Sequence, residues 1–117
     1  MGTFRTVIEL GDPFGRYWEP LEALVDTGAT YTMVSERILT RLGVVPHVAA
    51  EFELADGRQV SRDIGRTWIR IDGRAELTLV VFGDAESQPV LGAYALEGFM
   101  LAVDPVGGRL VSVPGLL

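Results

Sequence analysis

The fold of this chain is decided by eight consecutive residues, Ala23-Leu24-Val25-Asp26-Thr27-Gly28-Ala29-Thr30. The three apolar residues at its start predict the end of a buried strand that begins at Leu21. This strand leads directly into an aspartate, and a glycine follows two residues later, where a tight loop needs backbone freedom. Aspartate is also common in turns and helix caps. The apolar strand that runs into Asp26 nevertheless favours a functional role for its carboxylate.

A second motif, Val90-Leu91-Gly92, lies well downstream of the first. After it, Ala93 to Glu97 predicts a short helix that is closed by Gly98. The segments Phe99 to Val103 and Arg109 to Val113 flank a turn rich in proline and glycine, which predicts a β-hairpin.

The remaining segments read mainly as strands. Thr6 to Leu10 alternates apolar and polar residues, and Leu77 to Phe82 predicts a buried strand. The dipeptides Asp56-Gly57 and Asp72-Gly73 are typical of tight hairpin turns. Strands with regular turns and one or two short helices predict an all-β fold, a small closed β-barrel. The length of 117 residues predicts a single domain over residues 1–117.

One helix is predicted with clear signals at both ends. Ser35 is a good N-cap, Glu36 favours the positive end of the helix dipole, and Gly43 stands where a C-terminal glycine belongs. Ile38, Leu39 and Leu42 lie on one face of this helix, which we expect to face the core.

Composition excludes several classes of function. The net charge is −6 and the ten basic residues, all arginine, are scattered along the chain, which argues against a nucleic-acid partner. The chain has no cysteine, so disulfides and thiolate metal sites are excluded. Apolar runs are too short to cross a bilayer, and the start of the chain does not resemble a signal peptide. We therefore expect a protein without a membrane partner, located in the cytoplasm.

Counting residue types narrows the chemistry further. The single histidine, His47, follows Pro46 just after the predicted helix, where a loop position is favoured over a catalytic one. One histidine without cysteine cannot build a histidine-rich zinc site, and no G-x-S-x-G elbow accompanies it. Glycine-rich phosphate loops are also absent from the sequence. We predict no cofactor and no metal, which leaves carboxylate chemistry.

Together the two motifs resemble those of retroviral-type (retropepsin-like) aspartic peptidases, including single-domain bacterial and retrotransposon-derived members. In that family the aspartate loop is followed far downstream by two apolar residues and a glycine that cross behind it. The resemblance covers nearly the whole chain. It implies an aspartic endopeptidase in which Asp26 is catalytic, Thr27 holds the loop rigid, and Gly28 allows close approach.

Peptide hydrolysis by water needs a base to deprotonate the water and an acid to protonate the carbonyl oxygen. Two carboxylates about 3 Å apart meet both needs, because they cannot both ionise. The chain has one Asp-Thr-Gly triplet, so the second carboxylate must be Asp26 of another copy on a two-fold axis. We therefore predict a homodimer that acts on a peptide or protein substrate.

Two further elements are predicted to bind substrate. The hairpin from Ala55 to Asp63, centred on Gly57-Arg58-Gln59-Val60, is the candidate for the flap that closes over the peptide in relatives, although an ordinary exposed hairpin is the alternative. Its tip is charged, whereas retroviral flap tips are rich in glycine. The other predicted substrate-binding residues flank the two motifs: Ala29, Thr30, Tyr31, Val90 and Leu91. Tyr31 is equally compatible with lining a subsite and with simple packing.

The apolar C-terminal stretch, Leu110 to Leu117, allows two interpretations. It builds the dimer interface, together with the N-terminal strand, or it is a closing strand within one subunit. The function also has alternatives: a non-catalytic peptide-binding or dimerisation module that keeps the peptidase fold, and a processing enzyme that acts on one partner protein only.

Overall fold

The computed structural model describes residues 3–117, and most of its elements are strands. In chain order they are β1 Phe4–Gly11, β2 Trp18–Val25, β3 Thr32–Ser35, α1 Glu36–Arg41, β4 Val48–Glu53, β5 Gln59–Ile71, β6 Arg74–Gly83, β7 Val90–Leu91, α2 Ala93–Gly98, β8 Leu101–Asp104 and β9 Arg109–Ser112. The predicted all-β class is confirmed, and of the one or two short helices expected, two are present in the described residues.

Seven strands form one sheet in the order β1-β2-β7-β3-β6-β5-β4, and β8 and β9 form a separate pair. An additional pairing between β1 and β5, at Glu9–Arg70 and Leu10–Ile69, joins the first strand to the other half of the sheet. Most neighbours are antiparallel, but β2 runs parallel to β7 and β3 runs parallel to β6. The β2–β7 pairing places Val25 opposite Leu91, so the two sequence motifs lie side by side.

The hairpin turns form where the Asp-Gly dipeptides predict them. Between β4 and β5, Leu54 and Arg58 close the turn with a backbone hydrogen bond of 2.7 Å, and Gly57 has φ +86°. Between β5 and β6, Asp72 and Gly73 have φ values of 50° and 83°. In the β5–β6 turn, positive φ at both central residues, Asp72 and Gly73, matches the right-handed twist of the flanking strands. The predicted positions of both turns are confirmed.

The predicted helix is α1, and its capping signals act as expected. The Ser35 hydroxyl oxygen accepts a hydrogen bond of 3.4 Å from the Ile38 N–H, and Gly43 follows the helix with φ +79°. Leu39 is fully buried, with Ile38 and Leu42 packed beside it. Within residues 3–117, neither this helix nor any other is long and apolar enough to span a membrane.

Aliphatic side chains and two phenylalanines build the core. Its buried members are Ile8, Leu10, Ala23, Val25, Val34, Leu39, Val44, Ile69, Ile71, Val80, Phe82, Leu91, Ala95, Leu96 and Phe99. Strand β6 is less uniformly buried than predicted, because Leu77 is 49% exposed. Side chains alternate across a strand, and only the second half of β6, from Val80 to Gly83, is buried on both faces.

The loop between β1 and β2 is organised by one buried carboxylate. Asp12 accepts hydrogen bonds from the backbone N–H groups of Arg16 at 2.6 Å, Tyr17 at 2.9 Å and Phe14 at 3.4 Å. These donors, the Tyr17 N–H foremost, hold the pKa of Asp12 below its usual value of 3.8 despite its burial. The carboxylate therefore stabilises the loop in its ionised form.

At the C-terminus the chain forms a hairpin and then an exposed tail. Strand β9 pairs with β8 from Leu101–Ser112 to Asp104–Arg109. This pairing agrees with the interpretation of the C-terminal segment as a closing strand. Beyond it, Val113 donates a hydrogen bond of 2.9 Å to the Met100 carbonyl, while Leu116 and Leu117 are almost fully exposed.

Candidate active site

Asp26 is the first residue after β2, and the neighbouring strand fixes its backbone. Its N–H donates a hydrogen bond of 3.1 Å to the Leu91 carbonyl, and the Leu24 N–H donates one of 2.9 Å to the Pro89 carbonyl. Val25, between them, is fully buried. The apolar strand predicted from the sequence thus anchors the aspartate, and Asp26 itself is half-buried at the sheet's end.

The loop after Asp26 turns tightly around the carboxylate. The Gly28 N–H donates a hydrogen bond of 2.9 Å to Asp26 Oδ1, and the Ala29 N–H donates one of 3.1 Å to the Asp26 carbonyl. Thr27 and Gly28 form the exposed part of this turn. The first of these contacts orients the carboxylate, since a rotation of its side chain would break the hydrogen bond to Gly28.

The start of α2 supports the same loop from behind. The Ala93 and Tyr94 N–H groups each donate a hydrogen bond of 2.8 Å, to the carbonyls of Ala29 and Thr30 respectively. The buried Thr32 hydroxyl oxygen accepts a bond of 3.2 Å from the Gly92 N–H. Three consecutive residues of the downstream segment therefore hold the aspartate loop in place.

Gly92 shows why the second motif ends in glycine. A Cβ atom at this position would lie 2.6 Å from both the carbonyl carbon and the carbonyl oxygen of Tyr31, and 3.0 Å from the Ala29 oxygen. Real Cβ atoms do not approach backbone atoms this closely. Only glycine lets the segment after β7 pack against the aspartate loop at the observed distance.

The loop forms one wall of a cleft of about 760 Å³. A second wall comes from the β4–β5 hairpin; within the predicted flap, Ala55 to Asp63, it is Val60 and Arg62 that line the cleft. The lining residues are Asp26, Gly28, Ala29, Thr30, Tyr31, Met33, Glu51, Phe52, Glu53, Leu54, Val60, Arg62, Val81, Asp84, Ser87 and Val90. The structure therefore brings together, around one cleft, seven of the residues that the sequence singled out.

The other predicted site residues lie elsewhere in the described part of the chain. Gly57, Arg58 and Gln59 are exposed at the hairpin tip, outside the cleft lining, where the Arg58 guanidinium pairs with Asp56 at 2.7 Å. Leu91, predicted to bind substrate, is instead fully buried in the core. It acts on the site through its carbonyl, which accepts the hydrogen bond from Asp26. Thr27 lies on the loop, beside the lining residues.

Sequence reasoning missed the residues that strands β3, β4 and β6 bring to the cleft. Met33 and Val81 belong to the parallel β3–β6 pair, which lines the floor. Phe52 comes from β4, where apolar residues alternate with the exposed Glu51 and Glu53. That alternation is visible in the sequence and indicates that Phe52 lies on the more buried side of the strand.

Charge in the cleft is mainly negative. Besides Asp26, the lining includes three carboxylates, from Glu51, Glu53 and Asp84, and one guanidinium, from Arg62. Arg62 lies 3.4 Å from Asp84, which offsets part of this charge. Among residues 3–117, no group of three or more histidine, aspartate or glutamate side chains is placed to hold a metal ion.

This combination of a β-rich sheet, an Asp-Thr-Gly loop at a strand end and a glycine motif crossing behind it defines an aspartic-protease-like fold. The chain belongs to the family described as "gag-polyprotein putative aspartyl protease", whose model matches residues 18–98. The match includes both motifs and the hairpin between them. No curated protein matches the chain in sequence.

Solved structures agree with the family. The simian foamy virus (mac) protease is 21% identical and has a TM-score of 0.59, over 83% of this chain and 96% of that chain. The EIAV protease in complex with the inhibitor HBY-793 is 22% identical, with a TM-score of 0.61 over 94% and 93%. A retropepsin-like aspartic protease from Rickettsia conorii is 17% identical, with a TM-score of 0.56 over 88% of each chain. At these identities the likeness establishes the retropepsin fold.

Proposed function

We propose that this protein is an aspartic endopeptidase, active as a homodimer, that hydrolyses peptide bonds with a water activated by the two Asp26 carboxylates. The observation that carries the proposal is the placement of Asp26. Its carboxylate borders the cleft at the end of a buried strand, on a loop held by hydrogen bonds from Gly28, Ala93 and Tyr94. A rigid loop of this kind keeps a reacting group in one geometry.

The chemistry needs two carboxylates with different protonation states. In the dimer, one Asp26 is ionised and takes a proton from the water, while the other is protonated and donates to the carbonyl oxygen of the substrate. The two groups share one proton in this arrangement. Their roles then exchange as the carbon–nitrogen bond breaks, because the newly protonated Asp26 supplies the proton that the leaving amine requires.

A second copy is required because this chain contains a single Asp-Thr-Gly loop. A two-fold axis beside the loop would bring Asp26 of each copy to the same water. The exposed position of Thr27 and Gly28, at the outer turn of the loop, supports an approach of the second loop from this side. A single chain would then bind substrate weakly and lack catalysis.

The substrate is a peptide or protein segment in an extended conformation. It lies between the loop wall, with Ala29 to Tyr31, and the β4–β5 hairpin, whose residues Phe52 and Val60 face the cleft. Strand β4 ends the seven-stranded sheet, so its outer edge has backbone groups available to an extended peptide. The apolar part of the lining favours apolar side chains near the scissile bond.

Cleavage of a diverse peptide mixture, read by mass spectrometry over a range of pH, tests this proposal. The native protein is compared with Asp26→Asn, which keeps an oxygen to accept the Gly28 hydrogen bond but cannot act as a base. Asp104→Asn is the matched control, because Asp104 Oδ1 likewise accepts a backbone N–H two residues on, from Val106 at 3.1 Å. We expect cleavage by the native and Asp104→Asn proteins and none by Asp26→Asn.

Three other results would contradict or change the proposed function. Equal cleavage by native and Asp26→Asn proteins would show that Asp26 is not catalytic. If a folded, dimeric native protein cleaves no peptide, full-length proteins encoded beside it serve as the next substrates. Cleavage of one of them would indicate a selective processing enzyme, and binding without cleavage would indicate a non-catalytic module.

A further inference from the structure

Two aromatic rings from two different segments of the chain contact each other in the cleft. Tyr31 follows the aspartate loop and Phe52 belongs to the β4–β5 hairpin, yet their ring centroids are 6.1 Å apart with an interplanar angle of 86°. Both residues are half-buried and both line the cleft. The edge-to-face contact therefore spans the space in which the proposed substrate would lie.

The ring of Tyr31 also contacts the start of α2. The Tyr94 ring packs against the Tyr31 ring, at 5.7 Å between centroids and tilted by 57°. The Tyr94 N–H also holds the backbone just before Tyr31, through its hydrogen bond to the Thr30 carbonyl. Because both the ring and its backbone are supported, Tyr31 presents a preformed surface to the cleft.

Phe52 is placed by the alternation of β4. Its neighbours Glu51 and Glu53 are exposed, while Phe52 and its cross-strand partner Val60 are half-buried and both line the cleft. Phe52 and Val60 thus give the hairpin an apolar contact surface in the cleft, and the exposed carboxylates of Glu51 and Glu53 border the same cleft. A movement of the hairpin would separate Phe52 from Tyr31 and open the gap between the rings.

We propose that Tyr31 and Phe52 form a subsite that selects substrate peptides carrying a large aromatic side chain. An aromatic ring inserted there makes edge-to-face and offset contacts with both rings, which a small aliphatic side chain cannot make. Acidic side chains are disfavoured, because Glu51 and Glu53, the neighbours of Phe52 in β4, line the same cleft.

This subsite rests on the proposed homodimeric peptidase activity, and the dimer adds a specific expectation. Two copies of the subsite are related by the two-fold axis that passes between the Asp26 side chains. Aromatic residues are therefore expected at two substrate positions placed symmetrically on either side of the scissile bond. Enrichment on one side only would contradict the symmetric arrangement.

The test compares the cleavage profiles of three proteins on one randomised peptide library. In Phe52→Leu the subsite stays apolar but loses one ring, and Phe14→Leu makes the same substitution at an exposed loop residue outside the cleft. We expect the native protein and Phe14→Leu to prefer aromatic over alanine residues at the selected positions by about tenfold or more. In Phe52→Leu this preference should fall to a few-fold. An unchanged preference in Phe52→Leu would overturn the proposal.

A binding experiment separates the subsite from catalysis. The Asp26→Asn protein is titrated calorimetrically with peptides of one sequence in which each position in turn carries either phenylalanine or alanine. Tighter binding of the phenylalanine peptide, with the difference lost on adding Phe52→Leu, supports the subsite even if no cleavage is observed. Equal binding of the two peptides refutes it, whether or not the native protein is active.

Discussion

Replacing Gly92 by alanine would test how the aspartate loop is held. The new Cβ would lie 2.6 Å from the Tyr31 carbonyl carbon and oxygen, where ordinary contacts begin at 3.4 Å. The loop or the start of α2 must therefore move by about 0.8 Å. Such a shift acts on the hydrogen bonds from Ala93 to Ala29 and from Tyr94 to Thr30, which support the loop that carries Asp26.

The loss of folding stability in Gly92→Ala has two contributions. Overpacking of a tight site costs about 1–3 kcal/mol, and each weakened backbone hydrogen bond adds about 1 kcal/mol. With two hydrogen bonds affected, we expect Gly92→Ala to lower the free energy of unfolding by about 3–5 kcal/mol, which for a domain of this size lowers Tm by about 12–20 °C. A displacement near 1 Å at a reacting group can also lower kcat/KM by about 100-fold.

Gly98→Ala is the matched control, at the other end of the same helix. A Cβ at Gly98 would meet nothing within 4 Å, and alanine favours a helix by up to about 1 kcal/mol over glycine. Differential scanning calorimetry and peptide cleavage would be measured for both variants. Native Tm and native kcat/KM in Gly92→Ala would refute the argument that the segment after β7 positions the loop.

Two further predictions concern the buried polar contacts. Thr32→Val leaves the Gly92 N–H without its hydroxyl acceptor, so the free energy of unfolding measured in urea should fall by about 1–3 kcal/mol. The control Thr40→Val, at an exposed position, should lose at most about 0.5 kcal/mol. Equal losses in the two variants would contradict the prediction. The pKa of Asp12 is lowered by its N–H donors, so its stabilisation is present above pH 3.8, the ordinary value, and is lost as the pH falls below it. Native protein should therefore be more stable than Asp12→Asn at about pH 7, with the gap narrowing towards about pH 3; a constant gap would refute this assignment.

The local elements were predictable because their signals are local. A capping serine with a glycine after the helix located α1, and two Asp-Gly dipeptides located hairpin turns. These features depend on the conformational preferences of a few neighbouring residues, which any sequence displays. The identity of Asp26 as the candidate reacting residue likewise came from one continuous stretch, the apolar strand that runs into it.

What the sequence could not supply is the pairing of distant strands. Strand β3 has four residues, lies between a loop and a helix, and pairs in parallel with β6 almost fifty residues later. Its partner cannot be read from local pattern, so Met33 and Val81 were not expected in the cleft. For the same reason Leu91 was assigned to the substrate surface, although the parallel pairing of β7 with β2 buries it.

The central claim is that two Asp26 carboxylates from two chains form one active site, and mixing subunits tests it most directly. Native protein and Asp26→Asn are mixed in equal amounts and allowed to exchange subunits. The mixture is then assayed with saturating substrate, at a total protein concentration high enough to keep all chains dimeric. If both carboxylates are needed, only native homodimers are active, and the activity per total protein falls to about one quarter of the native value. If each chain works alone, the activity falls to about one half, and that result would contradict the shared site.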